Sequence, residues 1–367
     1  MITEISRRAL NRATLARQLL LRRTERPLPE VVEHLVGLQA QTPHSWYVGL
    51  WSRVAGFRPD AAVDLITGRA LVRLALMRST IHLVTAADAW RLRPLVQPVL
   101  DRDLFTNHLH GRAIRGVDID ALVEAGRGLL TQPRTSRALG ALLHDRWPDR
   151  PAATLAYAVR NQLPLVQVPP RGLWGRSGPI AHVSAESWLG GERPVSATLA
   201  DVVRRYLCAF GPATVKDVQT WSGLTRLREI VDGMDLLVLR GADGSELFDL
   251  PDAPRPDPDT PAPPRFLYDF DNLMLSYADR SRVITDEFKR LSCRPHGPVP
   301  EAVLVDGVTA GEWTFSRTGG IAALTVRTYR SLPADTAAAV EAEAADLLGF
   351  LAPDAEVREV ELLVVRG

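Results

Sequence analysis

The sequence is nearly free of lysine and of cysteine. Of its 44 lysine and arginine residues only Lys216 and Lys289 are lysines, and its two cysteines are Cys208 and Cys293. Two cysteines are too few for a zinc cluster, and they do not indicate a secreted disulfide scaffold. No apolar run approaches the about 18 residues of a transmembrane helix, and the N-terminus has no signal-peptide core. We therefore expect a cytoplasmic protein without a membrane partner.

Most familiar catalytic motifs are missing as well. There is no P-loop, no G-x-G-x-x-G and no G-x-S-x-G. His108 and His110 lie two residues apart without further ligands nearby, so we expect no metal and no cofactor. The net charge is only +1, so any basic face for nucleic acid must be offset by acidic surface elsewhere. The arginine excess suits phosphate binding but is better explained by a GC-rich genome.

The clearest pattern lies in residues 197–249, because helical and strand periodicities follow each other there in a known order. Residues 197–210 place apolar side chains on one helical face. A short helix follows, with Thr214 as its N-cap and Gly223 at its exit, and a second helix begins at Thr225. DLLVLR and SELFDL then flank a Gly-Ala-Asp-Gly turn as a hairpin. This is the order of elements in a winged helix.

The same order recurs twice in the preceding sequence, which indicates a tandem array. Helices are predicted for residues 118–130, 135–147 and 154–162, and the strands LPLVQV and IAHVSA flank a basic loop. Nearer the N-terminus, helices are predicted for residues 6–23, 29–39 and 59–67, and ALVRLALMRSTIHLVT reads as a hairpin. The predicted units cover residues 1–114, 115–194 and 195–252.

The fourth part of the chain, residues 253–367, has a different pattern. Residues 251–264 are rich in proline and predict a linker or an extended surface crossing. AVLVDG, EWTFS and AALTVRTYR alternate like strands, residues 334–350 predict a helix, and EVREVELLVV predicts a closing strand. We expect a small β-barrel-like domain here. The fold class is therefore α+β, with three tandem winged-helix units and a C-terminal β-barrel-like domain.

Two glutamines, Gln39 and Gln41, occur in the unusual stretch GLQAQTPHSWYVGLW. A primary amide does not titrate near neutral pH, so neither can act as an acid or a base. On a helix they would point about 200° apart, whereas on extended backbone they would share a face. Because Pro43 disfavours helix at Thr42, we expect the helix over 29–39 to unwind and both amides to point into one cleft. The alternative is two solvated glutamines near a helix end.

A glycine-rich loop and the third unit supply candidate DNA contacts. The loop RGLWGRSG carries Arg171, Trp174 and Arg176 among glycines that permit close approach to a duplex, where arginine reaches phosphate or the minor groove. Lys216 stands where a recognition module would meet phosphate. Two alternatives stay open: Trp174 packs into the core of an ordinary surface hairpin, and the third winged helix serves packing alone.

Six blocks of the sequence together resemble the AlkZ/YcaQ family of winged-helix DNA glycosylases. In the family's order they are GLQAQTPHSWYVGLW, MRSTIHLV, GLWGRSG, FGPATVKDVQTWSGL, FLYDFDNLMLSYADRSRVI and VLVDGVTAGEW. The resemblance implies three winged helices and a β-barrel domain around a concave DNA-binding surface. It also places Arg280, in the fifth block, among the phosphate contacts.

The family's catalytic motif is Gln, an aliphatic residue, then Gln or Asp, and Gln39-Ala40-Gln41 is similar to its AlkZ-like form. The resemblance implies a bacterial, monofunctional glycosylase that hydrolyses the N-glycosidic bond of N7-alkylated guanine, including bulky adducts and interstrand crosslinks. It also implies self-resistance to a DNA-alkylating natural product. We expect a nucleoid-associated monomer on double-stranded DNA that carries alkylated purines, with His44 and His82 as candidate cleft-lining residues.

Two other functions stay open from the sequence. One is a non-enzymatic winged-helix regulator whose glutamines only cap a helix. The other is a protein that binds and sequesters the DNA-alkylating natural product itself, without DNA.

Overall fold

The computed structural model describes residues 3–191, 194, 195, 197–293 and 300–365. In these residues the chain forms three β-sheets together with helices. The fold is mixed α and β. No helix in these residues is long and apolar enough to cross a membrane.

The N-terminal part contains short helices followed by the predicted hairpin. Its elements are β1 (Thr3–Ile5), α1 (Arg7–Arg17), α2 (Leu28–His34), β2 (Leu38–Gln39), α3 (Trp46–Trp51), α4 (Pro59–Thr67), β3 (Leu71–Ala75), a 3₁₀ turn (Met77–Ser79), β4 (Ile81–Thr85), α5 (Ala86–Leu92) and α6 (Gln97–Thr106). The prediction of α4 is confirmed to the residue. The helix predicted for residues 6–23 ends earlier, at Arg17.

The helix predicted for residues 29–39 is wrong at its C-terminal end. It stops at His34, and Leu38–Gln39 pairs as a strand with β4. Val36 and Gly37 have φ angles of 54° and 88°, which are left-handed and cannot continue a helix. A Cβ at Gly37 would lie 2.6 Å from Cγ1 of Val84, so glycine also permits the close approach of the two strands.

The second part supplies three helices and a second hairpin. Its elements are α7 (Ile119–Leu129), β5 (Arg134–Thr135), α8 (Ser136–His144), α9 (Ala152–Gln162), β6 (Leu165–Gln167), β7 (Ala181–Ser184) and α10 (Ala185–Leu189). The strands of both parts join in one six-stranded sheet of order β2-β4-β3-β6-β7-β5. Within it, Arg73 lies opposite Gln167, and Gln167 lies opposite His182.

The third part has the predicted helices and hairpin. It contains α11 (Leu199–Phe210), α12 (Val215–Ser222), α13 (Arg228–Asp232), β8 (Leu237–Gly241) and β9 (Glu246–Asp249). Thr214 caps α12 by a capping box with Asp217, and Gly223 ends it at φ 80°. The helix predicted from Thr225 begins only at Arg228. β1 pairs in parallel with β8, which brings the N-terminus to this sheet.

The C-terminal part forms an open sheet. It contains β10 (Arg265–Phe266), α14 (Asn272–Leu275), α15 (Asp286–Leu291), β11 (Ala302–Val305), β12 (Val308–Thr318), β13 (Ile321–Thr328), α16 (Ala334–Leu351) and β14 (Val357–Val364). Strands β10 to β14 lie in chain order, and β10 does not pair with β14 in the described residues. The predicted barrel is therefore not closed. The crossover through α16 places β14 parallel to β13, at the far edge from β10.

Buried arginine–aspartate ion pairs connect different parts of the chain. Arg17 contacts Asp249 at 2.6 Å and Arg53 contacts Asp271 at 2.7 Å, and all four side chains are excluded from solvent. Residues 251–264, between the third and fourth parts, form neither helix nor strand, as predicted. The winged-helix assignment and the unit boundaries stay predictions.

Candidate active site

Gln39 lies at the edge of the six-stranded sheet, with both its backbone and its side chain fixed. Its side-chain oxygen Oε1 accepts a hydrogen bond of 2.6 Å from Nη2 of Arg78. Its carbonyl accepts a bond of 3.0 Å from the hydroxyl of Tyr268. Asn272 holds the same strand by donating to the Gly37 carbonyl at 2.7 Å. Because Gln39 is only 4% exposed, its amide has one fixed orientation.

Arg78 belongs to a strained turn between β3 and β4. Arg78 and Ser79 have φ angles of 54° and 59°, which are unusual for residues with side chains. Arg78 also donates to the carbonyl of Trp221 and so joins the hairpin to α12. Burial lowers the pKa of Arg78 to about 10, which leaves it charged at neutral pH. Strain of this kind persists where surrounding contacts enforce it, often at functional sites.

Gln41 has a different environment from Gln39. It is exposed, and its Oε1 accepts a hydrogen bond of 3.2 Å from the backbone N–H of Ile81. The next residues are held by the carboxylate of Asp269, which accepts from the hydroxyls of Thr42 at 2.5 Å and Ser45 at 2.6 Å. Both glutamines lie on non-helical backbone, although the predicted helix included Gln39. The side chain of Gln39 is bonded to Arg78 and 4% exposed, whereas Gln41 is exposed and lines an open space, so the two amides do not share a described cavity.

The open space beside Gln41 is a cavity of about 730 Å³ between the first and second parts of the chain. Helices α8 and α9 form one wall, and strands β6 and β7 form another. Its lining residues are Gln41, Ser79, Ile81, Asn107, His110, Ser136, Arg137, Gly140, Ala152, Ala153, Ala156, Tyr157, Arg160, Gln167, Ile180 and His182. None of these is an aspartate or a glutamate. The volume is within the about 300–1,000 Å³ that is usual for ligand sites.

The two candidate histidines lie outside the described lining of this cavity. His82 is 2% exposed, and its Nδ1 is 3.0 Å from the carbonyl of Thr80. Burial, reinforced by the charge of Arg78, lowers the pKa of His82 to about 3, so its ring is neutral. His44 bonds to the carbonyl of Arg176 at 3.0 Å and lines a separate cavity of about 520 Å³.

That separate cavity also contains a perturbed carboxyl group. Burial, with the negative charge of Asp269 nearby, raises the pKa of Glu301 to about 7. Trp174 lines the same cavity. A carboxyl that titrates near neutral pH is suited to proton transfer, but Glu301 and the two glutamines do not share a cavity in the described residues.

The glycine-rich loop presents its arginines and partly buries its tryptophan. Arg176 is exposed, and Arg171 is half-buried and donates to the carbonyl of Gly178 at 3.2 Å. The ring of Trp174 lies 4.9 Å from that of Tyr47 and 5.2 Å from that of Phe350. Trp174 therefore anchors the loop on an aromatic cluster, and the arginines stay available to solvent.

The other two candidate cations are both exposed. Lys216 lines a third cavity, of about 250 Å³, away from Gln41. Arg280 donates a hydrogen bond to the Met274 carbonyl at 3.3 Å, and the positive charge of Arg280 contributes to lowering the pKa of Arg78. The structure therefore links Arg280 to the Gln39 side of the motif but does not bring Lys216 into either glutamine's surroundings.

The arrangement supplies hydrogen bonds at the motif but no proton acceptor. A glutamine oxygen can accept a hydrogen bond from water, and its NH₂ can donate one. Such groups can orient a water molecule and stabilise a developing charge, but they cannot remove a proton. In the described residues there is also no group of three or more His, Cys, Asp or Glu side chains that could hold a metal.

Several residues at the site were not predicted from the sequence. Three of them, Arg78, Asp269 and Asn272, lie within the blocks MRSTIHLV and FLYDFDNLMLSYADRSRVI that carry the family resemblance. Their position in these blocks could have indicated that they belong to the site. Gln167 and His182 lie in strands that were predicted, but nothing in their spacing indicated that they face Gln41.

Comparison with known proteins identifies a family and a similar fold. The signature of the family described as "DNA glycosylase AlkZ-like" matches residues 32–350. The solved structure of Streptomyces sahachiroi DNA glycosylase AlkZ is similar to this one, with a TM-score of 0.76 and 21% sequence identity. That similarity covers 99% of this chain and 100% of the Streptomyces chain. No match was found among curated protein sequences.

Proposed function

The chain belongs to the family of AlkZ-like DNA glycosylases, and from that membership we propose that it hydrolyses the N-glycosidic bond of N7-alkylated guanine in duplex DNA. The proposed substrates include bulky adducts and interstrand crosslinks. The observation that carries the proposal is the Gln39-Ala40-Gln41 motif, with one amide fixed by Arg78 and the other beside a large cavity.

The substrate chemistry explains why amides suffice. N7-alkylation makes guanine a cationic leaving group, so its glycosidic bond is already weakened. The sugar departs with oxocarbenium character, as in glycoside hydrolysis. Such a reaction needs an oriented water on the far face of the sugar more than it needs a strong base.

The two glutamines take different roles in this proposal. Gln41, which is exposed beside the cavity, accepts a hydrogen bond from the attacking water. Gln39 directs its Oε1 towards Arg78 and therefore turns its NH₂ away from Arg78, where it can anchor the sugar–phosphate backbone. Arg78 is thus a positioning residue for Gln39.

Hydrolysis by water, without strand cleavage, fits the lysine content. A lyase step requires an amine that forms a Schiff base with the sugar. Neither Lys216 nor Lys289 is among the described residues that line the cavity with Gln41. The enzyme is therefore proposed to be monofunctional.

Duplex binding is proposed to occur through cations of the glycine-rich loop, of α12 and of the segment between α14 and α15. Arg171, Arg176, Lys216 and Arg280 contact phosphates, and Trp174 supports the loop that carries the first two. A monomer that repairs alkylated purines would give a bacterial producer of a DNA-alkylating natural product resistance to its own compound.

The test is release of free base from a duplex that contains a single N7-methylguanine, measured under single-turnover conditions. Wild type is expected to release the base and leave an abasic site without a strand break. The double variant Gln39→Ala/Gln41→Ala, at saturating concentration on the same duplex, is expected to bind without release. Wild-type binding without any release would instead identify a regulator. Binding of a DNA-alkylating natural product in the absence of DNA would identify a sequestration protein.

A further inference from the structure

Two buried polar atoms in the wall of the 730 Å³ cavity have no hydrogen-bond partner among the residues that the structure describes. They are Oε1 of Gln167 and Nε2 of His182. The side chains are 9% and 4% exposed, and the two residues lie directly opposite each other on β6 and β7. Opposite residues in an antiparallel pair project from the same face of a sheet, so these two side chains are neighbours. Buried polar groups are rarely left unpaired, and such a pair needs an explanation.

The protonation of His182 gives the pair a defined polarity. Burial, reinforced by the charges of Arg160 and Arg73, lowers the pKa of His182 to about 4, so at neutral pH its ring carries one N–H. Its Nδ1 lies 3.5 Å from the hydroxyl of Ser136, which can donate to it. We assign the ring proton to Nε2, which is the tautomer in which Ser136 donates to Nδ1. The wall therefore presents a donor, His182 Nε2–H, beside an acceptor, Gln167 Oε1.

We propose that this cavity binds the target guanine after it leaves the duplex, and that Gln167 and His182 recognise its Watson–Crick edge. Guanine presents O6 as an acceptor beside N1–H as a donor, which complements the wall. Methylation of N1, as in 1,7-dimethylguanine, removes the N1–H donor and blocks this edge. This edge stays free when N7 is alkylated, and extrusion exposes it. The inference rests on the proposed glycosylase function, and it assigns that activity a base-recognition site.

The rest of the cavity suits a flat base with a substituent. Tyr157 stacks on His110 with ring centroids 4.4 Å apart, which gives the cavity an aromatic surface. The alanines of α9 leave room for groups attached to the base, whereas Gly140 allows α8 to pack closely against Ala152. Arg160 donates a hydrogen bond of 2.8 Å to the Ser79 carbonyl, and the carboxylate of Asp103 lies near its guanidinium. Exposed Arg137 can contact a flanking phosphate.

Binding of free base tests the site without catalysis. Wild type should bind 7-methylguanine more tightly than 1,7-dimethylguanine, whose N1 carries a methyl group in place of the N–H, by isothermal titration calorimetry. Gln167→Met and His182→Phe should each weaken 7-methylguanine binding by roughly tenfold, the scale of one lost hydrogen bond. Gln132→Met, an exposed glutamine outside the described lining, is the matched control and should bind as wild type does.

The outcomes separate this proposal from the glycosylase proposal. Equal wild-type affinity for the two bases, or unchanged binding in both cavity variants, would overturn base recognition here even if wild type releases N7-methylguanine from DNA. Selective binding of 7-methylguanine that is lost in the variants would support the site, even if wild type released no base. The wild-type comparison of the two bases decides the question if a variant does not fold.

Discussion

The guanidinium of Arg78 donates a hydrogen bond of 2.6 Å to Oε1 of Gln39, whereas the amide of Gln41, two residues further on, bonds only to the backbone of Ile81. The motif thus combines one amide fixed by a charged partner with one that faces solvent. This difference predicts that the two glutamines respond differently to replacement.

Gln39→Ala should lower both stability and activity. It leaves Nη2 of the partly buried Arg78 without its acceptor, while Nη1 keeps the Trp221 carbonyl, and this loss should cost about 1–3 kcal/mol in the free energy of unfolding. Gln41→Ala, at an exposed position, should change stability by less than about 0.5 kcal/mol. Each should slow base release by roughly 10- to 1000-fold, with little change in duplex affinity. Urea denaturation and single-turnover assays measure the two effects, and equal rates for wild type and both variants would remove the glutamines from the chemistry.

Gln41→Asp should retain activity on N7-methylguanine. A carboxylate can still accept the water's hydrogen bond, and its negative charge favours an oxocarbenium-like sugar. Gln41→Leu, of similar size and without hydrogen-bonding capacity, is the matched control and should lose activity as the alanine variant does. The measurement is the single-turnover rate at saturating enzyme. A Gln41→Asp rate as low as that of Gln41→Leu would contradict a role in holding water.

The catalytic motif could be predicted from the sequence, because its residues are adjacent in the chain. From Pro43 the sequence correctly indicated non-helical backbone at Gln41, although α2 ends earlier than predicted, at His34, before the left-handed Val36 and Gly37. It did not predict that the side chains would diverge, because Arg78 and Asn272 reach Gln39 from distant segments. The α4 helix and the hairpins were predicted well, since local periodicity and caps determine them. The open C-terminal sheet was missed because strand alternation does not indicate whether the first and last strands pair.

DNA affinity should decline linearly with salt on a log–log plot, because phosphate contacts release counterions. Arg176→Ala and Arg280→Ala should each weaken binding and reduce the magnitude of the salt slope by about 1. Arg317→Ala, in the C-terminal sheet, is the matched control because Arg317 is engaged with Asp354 at 2.9 Å. Fluorescence anisotropy from low to moderate salt measures the slope. A slope that is unchanged in both test variants would exclude these two arginines as phosphate contacts.

Asp271→Ala should destabilise the fold strongly. It leaves Arg53 as an uncompensated buried charge, which typically costs about 3–5 kcal/mol. The same carboxylate caps α14, where Asn272 holds the strand of Gln39, so base release should slow as well. Asp354→Ala, which breaks the exposed pair with Arg317, should leave the unfolding midpoint unchanged. Similar midpoints for both variants would show that the buried pair is not required.

Stability should fall as the pH drops below about 6.5. Burial lowers the pKa of His82 to about 3, whereas an unfolded histidine titrates at about 6.5. Between these values the unfolded state binds a proton that the folded state does not, so acid favours unfolding by up to about 1.4 kcal/mol per pH unit. His82→Asn should reduce this slope, and above pH 6.5 the two stability curves should run parallel. Chemical denaturation across this range measures both curves, and identical slopes throughout would contradict a buried neutral His82.

The sheet that runs from β2 through β3 and β6 to β5 makes Gln39 and the cavity wall parts of one continuous hydrogen-bonded ladder. A hinge between the first two parts of the chain would have to break the backbone bonds where Arg73 and Leu74 pair with Gln167 and Val166. The first two parts of the chain therefore have little freedom to move relative to each other, so the proposed extrusion of the base relies on movement of the duplex. The sequence-dependent stiffness of the DNA duplex then helps to determine which lesions the enzyme reaches quickly.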